Sequence, residues 1–199
     1  MADTIIENET FNNLLGLLKI ENYKPSPAAL TLLNTNARYI KDLKINVSNV
    51  LNNSQNLTKK EALLLAYSVA VNEKFPLLRE SLAALASEGG ATEEELAEVV
   101  SATSLMNVNN VFYRFRHFMD KEFYNNQPAG IKMSIMMNPV LGRELFELIS
   151  LVVSSINGCE MCVKSHEAKL IGDGTSENKI FEAVKLGAII KGLITVLAA

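Results

Sequence analysis

The segment Gly158-Cys159-Glu160-Met161-Cys162-Val163-Lys164-Ser165-His166 concentrates reactive side chains. Cys159 and Cys162 are the only two cysteines in 199 residues, and they stand three apart. In a reducing compartment a lone close pair is redox-active or metal-binding more often than structural. On an α-helix each residue turns by about 100°, which brings Cys159, Cys162 and His166 within roughly 60° of one another. One helix face is therefore expected to present two thiols and an imidazole. A helix beginning at Cys159 would aim its unpaired N–H groups at that sulfur and favour a thiolate. His166, one turn after Cys162, can take its proton or hold it as an ion pair.

Glu147 lies twelve positions before Cys159, among apolar residues on the preceding helix. A carboxylate at a buried position must find a proton, a partner or water, and His166 and the cysteines are the expected partners. Glu144 is the expected solvated neighbour. Two other readings compete. Cys159, Cys162 and His166 supply three zinc ligands, with Glu147 or the distant His117 as fourth. Alternatively, both thiols are buried and inert.

The elements that must carry these residues read as helices throughout. Asn138-Pro139 is a start signal, with Asn as cap and Pro in the first turn. Leu141, Leu145, Leu148, Ile149, Val152 and Val153 then form a stripe at helical spacing. Asn157-Gly158 ends that helix, and the next runs from Cys159 to Ile171, stopped by Gly172-Asp173-Gly174. A last helix spans Ser176 to Ala198, nearly apolar after Lys185 and bound for a core or a subunit interface. Upstream, helices are expected over Asn12–Lys19, Pro27–Leu43, a short stretch from Ile45, and Phe75–Ala86. Thr58-Lys59-Lys60-Glu61 and Thr92-Glu93-Glu94-Glu95 are capping boxes, the second opening a helix toward Met106. Met133, Met136 and Met137 read as core filler.

Both halves repeat the order helix, helix, Gly-rich turn, long helix, which suggests an internal duplication of a helical unit. The expected organisation is one all-α domain over 1–199, with residues 1–120 as scaffold and 121–199 carrying the C-x-x-C site.

Composition narrows the function classes. Hydrophobic residues make up 48% of the chain, ample for a core. A net charge of −3 argues against a nucleic-acid partner and against membrane steering. No run approaches the roughly 18 apolar residues of a membrane span. The start carries Asp3, Glu7 and Glu9 with no basic region, so no signal peptide is expected and a cytoplasmic location is. Asn107 to Phe118 interleaves aromatics with Arg114 and Arg116. Without a basic surround it reads as a helix or subunit contact rather than a nucleic-acid platform, with Arg114 paired to a buried acid.

The pattern E-x11-C-x2-C-x3-H, filled by Glu147, Cys159, Cys162 and His166, resembles the AhpD alkyl hydroperoxidases of the carboxymuconolactone-decarboxylase-like superfamily. Asn109-Asn110-Val111-Phe112-Tyr113-Arg114, Asn138-Pro139, Ser155-Ile156-Asn157-Gly158-Cys159 and Ile180-Phe181-Glu182-Ala183 also look like segments of that family. The resemblance implies an AhpD-like helical bundle, assembled as a homotrimer. It implies reduction of organic hydroperoxides, or of an oxidised partner peroxiredoxin, with no bound cofactor and with electrons from the dihydrolipoyl group of a lipoylated carrier protein. By the same analogy Cys162 attacks the peroxide, Cys159 gives a proton and then resolves Cys162 as a disulfide, and His166 and Glu147 form a proton relay.

Physics alone leaves the choice of attacking sulfur open. The helix terminus favours Cys159, whereas the i to i+4 pairing with His166 favours Cys162, the residue preferred here. Some family members carry a histidine just before the second cysteine, where this chain has Met161, which cannot move a proton. Other outcomes are a disulfide oxidoreductase with little peroxidase activity, a decarboxylase-type enzyme needing no cysteine, and a non-enzymatic zinc or sensor protein.

Overall fold

The structure is a computed structural model describing residues 8–199; the acidic start with Asp3 and Glu7 lies outside the described residues. Among those residues the chain is helical without strands. The helices are α1 (Glu9–Leu17), α2 (Pro27–Asn34), α3 (Tyr39–Asn52), α4 (Lys59–Asn72), α5 (Pro76–Glu88), α6 (Glu93–Met119), α7 (Glu122–Asn126), α8 (Arg143–Ile156), α9 (Glu160–Gly172) and α10 (Glu177–Ala198), with a 3-10 turn at Ser134–Met136. The chain has the all-α, AhpD-like architecture expected of its sequence.

Helix α4 is the centre. Every residue from Ala62 to Ala70 is buried, as expected of a helix apolar all round, and it packs against α5, α6, α8 and α10. Its capping box forms as the sequence predicts. The Thr58 Oγ1 accepts from the Glu61 N–H at 3.2 Å, and Glu61 Oε2 accepts from the Thr58 N–H at 2.7 Å. The box at Thr92 and Glu95 opens α6 in the same way, at 3.2 and 2.9 Å.

Several boundaries differ from expectation, and so does the burial of the methionines. The helix from Pro27 stops at Asn34, because Thr35 bonds back to the Thr31 carbonyl and Asn36 turns left-handed at φ 49°; a separate α3 then begins at Tyr39. Helix α6 continues past Met106 to Met119, having no Gly or Pro within it, and ends where Asp120 adopts φ 44°. Pro139 opens a turn rather than a helix. Its carbonyl accepts from the Gly142 N–H at 3.0 Å, and α8 starts only after Gly142 at φ 78°. The methionines ahead of that turn are only in part core filler: Met136 is half-buried and packs against the core, Met133 is half-buried, and Met137 is 72% exposed.

Helices α8 and α10 approach closely around Gly187, where an added Cβ would stand 2.5 Å from Val152 Cγ1. Helix α10 thus backs the helix that carries Glu147, and its apolar stretch is buried in the core.

Candidate active site

Helix α9 folds back on α8 through a tight elbow at Asn157, Gly158 and Cys159. The Gly158 N–H donates to Ser155 O at 3.2 Å and the Cys159 N–H to Ser154 O at 3.1 Å, the double closure of a Schellman-type helix end. Gly158 takes φ 69°, a conformation glycine adopts without strain. Cys159 is the N-cap of α9, one residue outside the helix expected to include it, and its carbonyl accepts the Val163 N–H at 2.9 Å.

Cys159 and Cys162 are joined as a disulfide, with Cα atoms 5.3 Å apart. Cys159 is fully buried, whereas Cys162 keeps 7% of its surface exposed. The more accessible cysteine is therefore the one that stands one helical turn from His166. Across the helix pair, His166 Nδ1 lies 2.7 Å from Glu147 Oε2, with both side chains mostly shielded from water. The expected partnership of Glu147 and His166 is present in the fold. A carboxylate on Nδ1 fixes the tautomer that leaves Nε2 without its proton. A cleft of about 220 Å³ opens over Glu147 between Met136, Met137, Pro139 and Arg143. Glu144 bonds Thr175 and Lys179 at its more exposed position.

Met161 is 38% exposed between the two cysteines and supplies no titratable group there. His117, the distant zinc candidate, lies instead 3.6 Å from Glu160. Lys164 first, then His117, hold the Glu160 carboxyl below its ordinary range. Among the described residues no group of three His, Cys, Asp or Glu side chains gathers as a metal site.

Several contributors escape a reading of motifs. Asn157 is the hub of an amide cluster. Its Nδ2 donates to Asn110 Oδ1 at 2.9 Å and its Oδ1 accepts from Asn72 Nδ2 at 3.1 Å. Asn110 is buried and donates in turn to Ser154 Oγ at 2.8 Å, and Asn107 Nδ2 reaches Asn72 Oδ1 at 2.8 Å. Arg114 Nη1 donates to the Asn157 carbonyl at 2.5 Å; among the described residues it pairs with no buried acid, contrary to expectation. Arg116 lies over the Phe112 ring at 4.6 Å and bonds the Gln127 carbonyl. The advance signs of the cluster are the recurrence of asparagine at 72, 107, 110 and 157 and the place of Asn110, Arg114 and Asn157 in the family-like segments; neither foretells the contacts.

Comparison with known proteins adds the family. Residues 125–199 match the carboxymuconolactone decarboxylase family. The alkyl hydroperoxide reductase AhpD of Solibacter usitatus is 37% identical over 166 residues, covering 83% of this chain and 93% of the relative. The protein of the same name from Maricaulis maris is 37% identical over 171 residues, covering 84% and 96%. The chain belongs to the AhpD family. A third AhpD relative, from Coxiella burnetii, is 36% identical over 164 residues, 79% of this chain and 90% of its own length. The AhpD likeness thus extends well beyond the C-terminal segment, across helices that hold the amide cluster as well as those that hold the disulfide.

Proposed function

We propose that the protein is an alkyl hydroperoxide reductase that works through a dithiol–disulfide cycle of Cys162 and Cys159. The observation that carries this reading is a disulfide-bonded C-x-x-C pair whose more accessible cysteine lies one turn from a carboxylate-held histidine. The names of the relatives support the substrate class.

In the reduced protein the Cys162 thiolate attacks the distal oxygen of an organic hydroperoxide, ROOH. The O–O bond breaks, Cys162 becomes a sulfenic acid, and the alkoxide leaves as ROH after taking a proton from the buried Cys159 thiol. The Cys159 thiolate then displaces hydroxide from the sulfenic sulfur, the disulfide forms, and the hydroxide leaves as water with the proton that His166 took from Cys162. An external dithiol, R(SH)2, returns two electrons by exchange and departs as its own disulfide. His166 takes the Cys162 proton at Nε2 while Glu147 holds Nδ1, so the imidazolium formed is stabilised in place. The dihydrolipoyl group of a carrier protein is the reductant this cycle fits, and an oxidised peroxiredoxin is a second acceptor of the same electrons. The setting proposed is cytoplasmic.

Peroxide turnover with dihydrolipoamide and cumene hydroperoxide tests the reading, with wild type beside Cys162→Ser. Turnover that disappears in the variant is the expected result; undiminished turnover would remove Cys162 from the chemistry. Met161 favours one second reading, a disulfide oxidoreductase for protein partners with little direct peroxidase activity. Wild-type protein that reduces a protein disulfide yet turns over no peroxide would select it.

A further inference from the structure

We propose that Arg114 is a positioning residue for the dithiol: it anchors the elbow that sets Cys159, and its uncompensated charge biases the pair toward thiolate. The inference rests on the redox reading of Cys159 and Cys162.

Arg114 reaches from α6 to the Asn157 carbonyl at the half-buried C-terminal end of α8, where a cation complements the helix dipole. That carbonyl belongs to the elbow itself, and the chain allows the Cα atoms of Asn157 and Cys159 to lie no more than about 7 Å apart. The amide cluster holds the same elbow from one turn earlier on α6, through Asn110 to Ser154, whose carbonyl accepts the Cys159 N–H, and from α4, through Asn72 to the Asn157 side chain. The backbone before Cys159 is therefore gripped by two neighbouring elements, and Arg114 supplies the charged grip.

Its charge, like that of Arg116 two residues on, which rests on the Phe112 ring and the Gln127 carbonyl, has no carboxylate partner among the described residues. On α4 the carboxylate beside the cluster is Glu73, bonded by Asn72 and paired with Lys191 of α10. On α6, His117 faces Glu160 of α9, which also pairs with Lys164. Between α8 and α9, Glu147 holds His166. Each of these charges has a partner of opposite sign or one that acquires it on protonation. Arg114 has none among the described residues; its bond is to a neutral carbonyl. A guanidinium keeps its charge throughout the useful pH range, so this cation persists beside the elbow when the thiols ionise. An unbalanced positive charge favours the thiolate over the thiol and, by the same interaction, the reduced pair over the disulfide.

The test is made without peroxide, so it stands or falls separately from the peroxidase reading. The reactive thiol is titrated by thiolate absorbance, and the disulfide is equilibrated against a dithiol buffer at a pH above the wild-type thiol pKa. Arg114→Gln is expected to raise the thiol pKa by about 0.5–1 unit and to shift the exchange equilibrium about three- to tenfold toward disulfide. Arg114→Lys, which keeps the charge, is expected to restore both values toward wild type. Wild-type values in Arg114→Gln would overturn the proposal, even if stability fell. Equal shifts in the Lys and Gln variants would overturn it too, because charge would then not be the cause. If Arg114→Gln does not fold, Arg114→Met keeps the stem's packing and carries the same comparison.

Discussion

The bond between His166 Nδ1 and Glu147 Oε2 makes two residues from successive helices a single unit. If the proposed relay operates, Glu147→Gln leaves a neutral amide that cannot stabilise an imidazolium, and kcat/KM for hydroperoxide falls by on the order of 10²-fold. His166→Ala is expected to cost about as much, and the double variant little more, because groups that act as one unit are not additive. Steady-state turnover of the three variants measures this; additive losses would show two independent roles. Met161 gives the opposite test. Replacing it by histidine adds a proton carrier beside Cys162, and peroxide turnover is expected to rise several-fold. An unchanged rate would mean that the relay through His166 already meets the demand for protons.

At the scale of the helices, the site depends on how closely α10 backs α8. Val152 is buried and β-branched, so its methyl cannot swing aside from a Cβ placed 2.5 Å away. Gly187→Ala is expected to lower stability by about 1–3 kcal/mol despite alanine's better helix propensity. In a chain of this length that corresponds to roughly 2–10 °C in thermal midpoint, readable by circular dichroism. A midpoint that rises would mean the two helices separate without cost. Element ends show why local signals carry only part of such an account. Capping boxes at Thr58 and Thr92 act within four residues and form as read. The Asn138-Pro139 pair has the residues of a helix start, yet Gly142 and the bond from the Leu141 N–H to Glu98 on α6 set the turn instead.

Across the whole molecule, Lys179 of α10 ties α4 to α8 through Glu61 at 2.8 Å and Glu144 at 2.7 Å. Burial alone would raise the Glu61 carboxyl, but bonds from Lys179 and Thr58 outweigh it and hold the group below its ordinary 4.5. Burial alone would lower Lys179, and its two carboxylates outweigh that and hold it above 10.5. The signs follow from linkage. Stability due to Glu61 is present above 4.5 and is lost as pH falls through its depressed folded value. Stability due to Lys179 is present below 10.5 and is lost as pH rises through its raised one. Denaturant midpoints across pH are expected to drop at both ends, and Lys179→Met to flatten both limbs. A second feature at this scale is the apolar face of Val108, Val111, Phe115 and Phe118, with Phe123 beside it, all exposed. If the chain forms the homotrimer that its resemblance implies, we propose this face as the contact, and Phe118→Glu is then expected to reduce the mass found by light scattering to that of one chain. An unaltered mass would move the proposed interface elsewhere.

Part of the candidate site was legible in the sequence because the relation is local: Cys162 and His166 share α9 one turn apart and Glu147 meets His166 from the adjoining helix, whereas Cys159 falls one residue outside the helix as its N-cap. The all-helical class followed equally from apolar spacing and caps, which act over one or two turns. Other features required tertiary structure. Arg114 and Asn157 are 43 residues apart, and nothing in the neighbourhood of either foretells that a guanidinium will meet a helix-end carbonyl rather than an acid. The same holds for the clearance between Gly187 and Val152, and for the burial that leaves Cys162 more open than Cys159. Periodicity and capping are properties of a short stretch of chain, whereas long-range contact and exposure depend on how distant helices pack, which is decided only when the core closes.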